Sequence, residues 1–158
     1  KARGLLWSAL LADSTRSRVG LPDYLLLFRR YPLDGEVVEP VTHTAQEFPV
    51  SQWQEWASPV WMTIDQTNTL NARVARVDGD EKHMCPLQLD VIERTVRLWS
   101  NPGDVVFSPF AGIGSEVVRA VELGRKAVGI ELKPEYFAHM VRHLRNAGAQ
   151  GSLFGGAA

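Results

Sequence analysis

The stretch Val105-Val106-Phe107-Ser108-Pro109-Phe110-Ala111-Gly112-Ile113-Gly114-Ser115, with Gly129-Ile130-Glu131 after it, limits what this chain can fold into more than any other part. Val105, Val106 and Phe107 form a short apolar run that suits a buried strand. Gly112 and Gly114 permit a tight turn and a close approach of backbone to a ligand. A helix starting there presents free N–H groups at the turn. Lys126-Ala127-Val128-Gly129-Ile130 reads as the next strand, and Glu131 stands at its C-terminal end. That is about 20 residues past the turn, where a carboxylate can hold a ribose hydroxyl pair. The pattern predicts an α/β fold around a nucleoside-bearing cofactor.

The details narrow the cofactor. A dinucleotide fingerprint carries a third glycine three residues after the second, and here that position is Val117. No Gly-Lys-Ser/Thr follows, so the turn is not a triphosphate loop. A Gly-x-Gly turn with a ribose-binding acid and no phosphate machinery suits S-adenosylmethionine. From the glycines alone, a tight turn in some other α/β domain stands as the alternative.

Further segments add to this one. They are Lys82-His83-Met84-Cys85-Pro86-Leu87-Gln88-Leu89, Asn101-Pro102-Gly103-Asp104, Gly124-Arg125-Lys126 and Pro134-Glu135-Tyr136-Phe137. In this order and spacing they resemble the amino-methylating DNA methyltransferases, which modify adenine N6 or cytosine N4. The order resembles the subgroup whose catalytic segment precedes its cofactor segment. The resemblance covers about residues 58–146, and more loosely Pro22 to Arg30, which looks like a late strand of the family's sheet. It implies a Rossmann-like, S-adenosylmethionine-dependent methyltransferase fold, with a mostly parallel sheet flanked by helices. It also implies a cofactor pocket formed by His83, Cys85, Ser108, Phe110, Ala111, Gly112, Gly114, Ser115, Glu131 and Leu132, with Leu132 over the adenine.

Two departures stand out. The family turn usually opens with Asp-Pro-Phe, and here it is Ser108-Pro109-Phe110. The carboxylate that commonly faces the cofactor's ammonium is therefore missing. The family's catalytic Asp/Asn/Ser-Pro-Pro-Tyr/Phe/Trp string is also absent, so no catalytic residue is assigned. The nearest string, Ser58-Pro59-Val60-Trp61, lacks the second proline and lies close before the cofactor turn. Its plainer reading is a bend leading into an extended Val60–Ile64 segment packed on the sheet. The chain begins at Lys1, within an apparent helix. The expectation is a C-terminal part of a longer protein, residues 1–149 completing one domain and 150–158 a flexible tail, with the catalytic segment upstream.

The totals are compatible with this. With 158 residues, 45% hydrophobic and 22% charged, the chain can bury a core. A net charge of −1 does not announce a nucleic-acid binder, although a local basic patch is what touches phosphates. Cys85 is the lone cysteine, which leaves no disulfide framework or zinc cluster and fits the reducing cytoplasm. No apolar run reaches membrane length.

Residues 1–11 and about 134–146 read as helices, and so does the stretch opening at Pro86, with Leu89, Ile92, Val96 and Trp99 on one face. Ser51 suits an N-cap with Gln54 at the capping-box position, and Trp53 and Trp56 read as core anchors. Asp23–Arg30 reads as a strand. Arg16 and Arg18 lie in a basic loop that either reaches DNA phosphates or is simply solvated. The Gln66–Asn71 run either lines the site or forms a polar loop.

The resulting expectation is a site-specific DNA methyltransferase of the restriction-modification kind, with double-stranded DNA as partner and this chain supplying the cofactor half. The alternatives are a catalytically inactive binding module and an RNA or small-molecule methyltransferase on the same fold.

Overall fold

The structure is a computed structural model, and it describes residues 7–16, 22–70 and 86–154. The chain forms two compact units, Lys1–Val38 and Glu39–Ala158, the boundary falling inside the range expected to be one domain. His83, Cys85 and Arg18 lie outside the described residues.

In the first unit, helix α1 covers Trp7–Ala12 and a single 3-10 turn covers Ser14–Arg16. Asp13 accepts the Thr15 N–H at 3.1 Å and its hydroxyl at 2.6 Å, which starts that turn. Residues 23–30 are not a strand, contrary to expectation; they run exposed and irregular. Their leucines and aromatics favour a pleated, half-buried surface, but that preference is realised only against a partner. The sheet of the described residues has two strands, and neither pairs with this run.

The second unit is built on helix α2 (Val50–Trp56), helix α3 (Leu89–Trp99), strand β1 (Val105–Ser108), helix α4 (Ser115–Glu122), strand β2 (Lys126–Gly129) and helix α5 (Pro134–Phe154). β1 and β2 pair in parallel, with Val105 opposite Lys126 and Ser108 opposite Gly129. Parallel neighbours need a crossover, and α4 is that crossover. Its C-terminus closes in a Schellman pattern: the Gly124 N–H bonds the Val121 carbonyl at 3.0 Å and the Arg125 N–H bonds Ala120 at 2.9 Å. Gly124, at φ 76°, supplies the left-handed residue the motif requires.

The core lies between the helices and one face of this small sheet. Val117 is fully buried, with Ala111 and Met140 around it and Ala127 and Leu144 packed against them. Ile92 and Val96 bury the face of α3, as the helical spacing predicts, while Trp99 at its last turn is exposed. Phe137 on α5 is likewise exposed, and Trp53 is exposed where Trp56 is buried. The opposite face of the sheet, carrying Val105, Phe107 and Val128, is bare.

Several element ends differ from expectation for local reasons. The cap of α2 is Pro49, without a side-chain bond, and Ser51 sits inside the helix. α3 starts at Leu89 with Gln88 as its cap, three residues after Pro86. Its first N–H is satisfied by the Asn68 carbonyl at 2.8 Å, a partner remote in sequence. α5 continues to Phe154 and takes in Gln150–Phe154, which composition suggested as loose. Glycine inside a helix costs only about 1 kcal/mol, so Gly148 and Gly151 do not stop it.

Candidate functional site

The carboxyl ends of β1 and β2 are tied to the segments that follow them by backbone hydrogen bonds. The Ser108 carbonyl accepts the Ile130 N–H at 2.9 Å, and the Ile130 carbonyl accepts the Ala111 N–H at 2.9 Å. The turn is thereby stitched onto the segment that leads to Glu131. Gly112 (φ 55°) and Gly114 (φ 98°) take left-handed conformations, and Gly114 is the N-cap of α4. A β-carbon at Gly114 would meet Met140 Cγ at 2.8 Å. One at Gly129 would stand 3.0 Å from Ala111 Cβ, Met140 Sδ and Val117 Cγ1. Gly129 is thus a packing requirement for the crossover.

Glu131 joins the strand end to the turn. Its Oε2 accepts the Gly112 N–H at 2.8 Å, and its Oε1 accepts the Lys133 N–H at 2.8 Å. A carboxylate has about four lone-pair directions, so both oxygens retain capacity for further donors. The turn is also held from α5, where His143 Nδ1 donates to the Ile113 carbonyl at 3.0 Å. Neither His143 nor Met140 is legible as a turn support from local sequence, because both act from α5.

Ser108, Phe110, Ala111, Gly112, Gly114, Ser115, Glu131 and Leu132 therefore belong to one turn system at the strand ends. They divide by exposure. Ser108, Ala111, Gly114 and Ser115 are buried, while Phe110 is 88% and Leu132 93% exposed. Arg16 closes the 3-10 turn of the first unit. Glu116, in the first turn of α4, is half-buried, and loss of hydration pushes its carboxyl above the usual range.

The segment from Trp56 to Asn68 is tied to α3 by side chains. Arg94, only 6% exposed, lies over the rings of Trp56 and Trp61, its Cζ 5.3 Å from each centroid. Its Nη2 donates to Thr63 Oγ1 at 2.7 Å and to Glu55 Oε1 at 3.2 Å. Trp61 Nε1 donates to the Trp56 carbonyl at 2.8 Å. Two indole faces and a carboxylate compensate a guanidinium that burial would otherwise penalise. Ser58-Pro59-Val60-Trp61 is a bend, as expected, and its tryptophan packs on Arg94 of α3, while Val60–Ile64 turns at Met62 and Thr63 and is not an extended segment on the sheet. Asp90 accepts from the Asp65 N–H at 2.8 Å and from Asn68 Nδ2 at 2.6 Å. Among the described residues, Gln66–Leu70 is a polar loop that caps α3. α3 in turn is joined to α4, because Glu93 pairs with Arg119.

A family profile described as DNA methylase matches residues 22–142. A type II methyltransferase, M1.MboII of Moraxella bovis, is 41% identical over 54 residues, covering 34% of this chain and 21% of the relative. The DNA adenine methyltransferase YhdJ of Escherichia coli K12 is 37% identical over 68 residues, 43% of this chain and 23% of the relative. The type II methyltransferase M.MjaI of Methanocaldococcus jannaschii is 26% identical over 111 residues, 70% of this chain and 34% of the relative. The chain thus spans between 21% and 34% of the length of these relatives. Among solved structures, a putative DNA modification methylase from Thermus thermophilus, complexed with S-adenosyl-L-methionine, superposes with TM-score 0.52 at 26% identity. That match covers 72% of this chain and 40% of the other. No helix among the described residues is long and apolar enough to cross a membrane.

Proposed function

The chain belongs to the DNA methylase family, and from that premise we propose that it supplies the S-adenosylmethionine-binding half of a DNA methyltransferase. The enzyme acts on an exocyclic amino nitrogen, adenine N6 or cytosine N4, in double-stranded DNA. The observation that carries this reading is the Glu131 carboxylate, which reaches back to the Gly112 N–H across a glycine turn at the ends of two parallel strands. Ligands of open parallel sheets bind in that crevice. The Thermus relative solved with S-adenosyl-L-methionine supports the choice of cofactor.

The residues fit that group. Gly112 leaves the turn without a side chain, and a β-carbon there would meet nothing within 4 Å, which keeps the turn open to a nucleoside. Glu131 has lone pairs left for two ribose hydroxyls after its two backbone bonds. Phe110 and Leu132 stand exposed, available to cover the methionine arm and the adenine. His83 and Cys85, outside the described residues, complete the proposed pocket. When bound, the cofactor supplies an electrophilic methyl group on a sulfonium. This chain contributes positioning: it fixes the nucleoside and the amino-acid arm so that the methyl is presented in line. The target nitrogen is a poor nucleophile, because its lone pair is conjugated with the ring. The base must leave the duplex to be reached.

The segment that grips the base is proposed to lie upstream of residues 1–149, which form the C-terminal part of one cytoplasmic methyltransferase domain, with 150–158 as its tail. The bare apolar face of the sheet supports this. A parallel sheet is ordinarily covered on both faces, and here one face exposes Val105, Phe107 and Val128. Arg16 and Arg18 are proposed to contact DNA phosphates.

The test is calorimetric. S-Adenosylmethionine is expected to bind, and Glu131→Ala to weaken it by about 1.5–3 kcal/mol, the scale of hydrogen bonds to a charged group. Unchanged affinity in that variant removes the ribose role, and a preference for NAD removes the cofactor. Tritiated-methyl transfer to duplex DNA is expected to remain at background for this chain alone. It is expected to appear when the upstream segment is restored.

A further inference from the structure

The glycine turn runs through three peptide groups, and side chains from outside it grip the first and the last. In the peptide joining Ala111 to Gly112, the carbonyl accepts the Gly114 N–H at 2.8 Å and the N–H donates to Glu131 Oε2 at 2.8 Å. In the peptide joining Ile113 to Gly114, the N–H makes that same bond to Ala111, and the carbonyl accepts from His143 Nδ1 at 3.0 Å. The peptide between them, Gly112 to Ile113, makes no hydrogen bond among the described residues. Glu131 reaches the turn from just beyond β2, and His143 reaches it from α5, 30 residues along the chain.

Such a turn needs outside grips. Gly112 (φ 55°) and Gly114 (φ 98°) are residues that take either sign of φ with similar ease, so local preference does not select one arrangement. A carbonyl has no proton to give, so the bond to Ile113 places the His143 proton on Nδ1. Met140, on the same helix, occupies the space a Gly114 side chain would need, so α5 meets the turn at neighbouring residues. The two grips serve different ends. Glu131 retains lone pairs for a ribose, and the carbonyl of the free peptide belongs to Gly112, the residue whose N–H it holds. A nucleoside held by Glu131 is thereby brought beside that peptide. His143 has its donor committed to the turn itself.

We propose that His143 is a positioning residue for the cofactor, a role that rests on the cofactor reading above. By holding the Ile113 carbonyl from α5, it keeps the unpaired Gly112 to Ile113 peptide turned to the nucleoside. Without that bond the turn spends part of its time in other arrangements, and the apparent affinity falls with the fraction that remains competent.

The experiment uses the full chain, with calorimetry of S-adenosylmethionine and of 5′-methylthioadenosine, which keeps the nucleoside but lacks the amino-acid arm. His143→Phe keeps a ring and removes the donor. It is expected to weaken both ligands by the same factor, about three- to tenfold, the scale of one net hydrogen bond. His143→Asn sets an amide N–H near the place of Nδ1 and is expected to restore both affinities. His139→Phe, whose native ring lies 6.4 Å from that of His143, is expected to change neither. Nitrogen NMR at mildly alkaline pH, with the His143 signal assigned by its loss in the Phe variant, is expected to show the Nδ1–H tautomer. Parent-like affinity in folded His143→Phe overturns the proposal even if its melting temperature falls, since the bond then serves stability alone. A loss that Asn does not restore, or that His139→Phe shares, overturns it too. So does a loss confined to S-adenosylmethionine, which moves the effect to the amino-acid arm, and an Nε2–H tautomer removes the bond itself. If the parent chain binds neither ligand, the cofactor reading falls and this role with it. Should the phenyl ring prevent folding, His143→Ala removes donor and bulk together and is read against His143→Asn in the same way.

Discussion

Tyr24-Leu25-Leu26-Leu27-Phe28 and Val105-Val106-Phe107 carry the same local signal, a short run of residues that favour strands. Only the second is a strand in the structure. Val105–Ser108 has a partner because α4 returns the chain to lay Lys126–Gly129 alongside it in parallel. Among the described residues Tyr24–Phe28 pairs with no strand, and it lies exposed, with the Arg30–Glu36 ion pair and a bond from the Leu33 N–H to Glu36 at 2.9 Å ordering the turn beyond it. The difference teaches that the apolar run is a capacity for pairing. The return of the chain realises it, and that return depends on glycines that let helix and turn close over the strand ends.

The comparison is broken most directly at Gly114. Gly114→Val forces a β-branched residue into a left-handed conformation and drives its β-carbon into Met140. A loss of about 3–5 kcal/mol is expected in chemical denaturation, summing backbone strain and overpacking. Leu26→Asp, in the unpaired run, is expected to stay within about 0.5 kcal/mol of the parent. Equal losses in the two variants would show that Tyr24–Phe28 is packed after all.

A smaller effect sharpens the comparison by asking what side chains do where no ladder exists. The segment from Trp56 to Thr63 has no strand, yet it is tied to α3 through Arg94. Arg94→Ala removes the guanidinium that lies over two indoles, takes from Thr63 its donor and leaves Glu55 with the Thr63 hydroxyl alone. The expected cost is about 2–3 kcal/mol, from cavity and cation–π losses together. A red shift of tryptophan fluorescence should accompany it, as Trp56 and Trp61 gain water. Unchanged fluorescence with unchanged stability would mean that the stack is incidental.

The smallest effect is at Glu116, within the paired region. Its folded-state pKa is raised by burial, so the folded chain holds that proton more tightly than the unfolded chain does. The resulting stabilisation is complete below the unfolded value of 4.5 and is lost as pH rises through the folded value. Without cofactor, Glu116→Gln is therefore expected to melt slightly higher than the parent at neutral pH. The gap should close as pH falls below 4.5. A gap that does not depend on pH would disconnect it from the titration of Glu116.

The legible part of the site was local. The glycine turn, the strands on either side of it and Glu131 follow one another within Val105–Glu131, so their spacing alone carried the pattern. The supports of that turn were hidden. Met140 packs against Gly114 and Gly129 from α5, and His143 donates to Ile113 across 30 residues of sequence. The apolar stripe of α3 was legible at Ile92 and Val96, but the burial of Arg94 between them was not. A charged residue is read as solvent-facing until two tryptophans from another segment enclose it.

By itself, then, the sequence determined the βαβ unit, the family it belongs to and the carboxylate at the strand end, because each is written in neighbouring residues whose backbone preferences agree. Tertiary structure alone decided which apolar run became a strand, where α3 and α5 begin and end, and which arginine was buried. Hydrogen-bond partners, burial and charge matching come from segments far apart in the chain, and no local preference encodes which distant segment arrives.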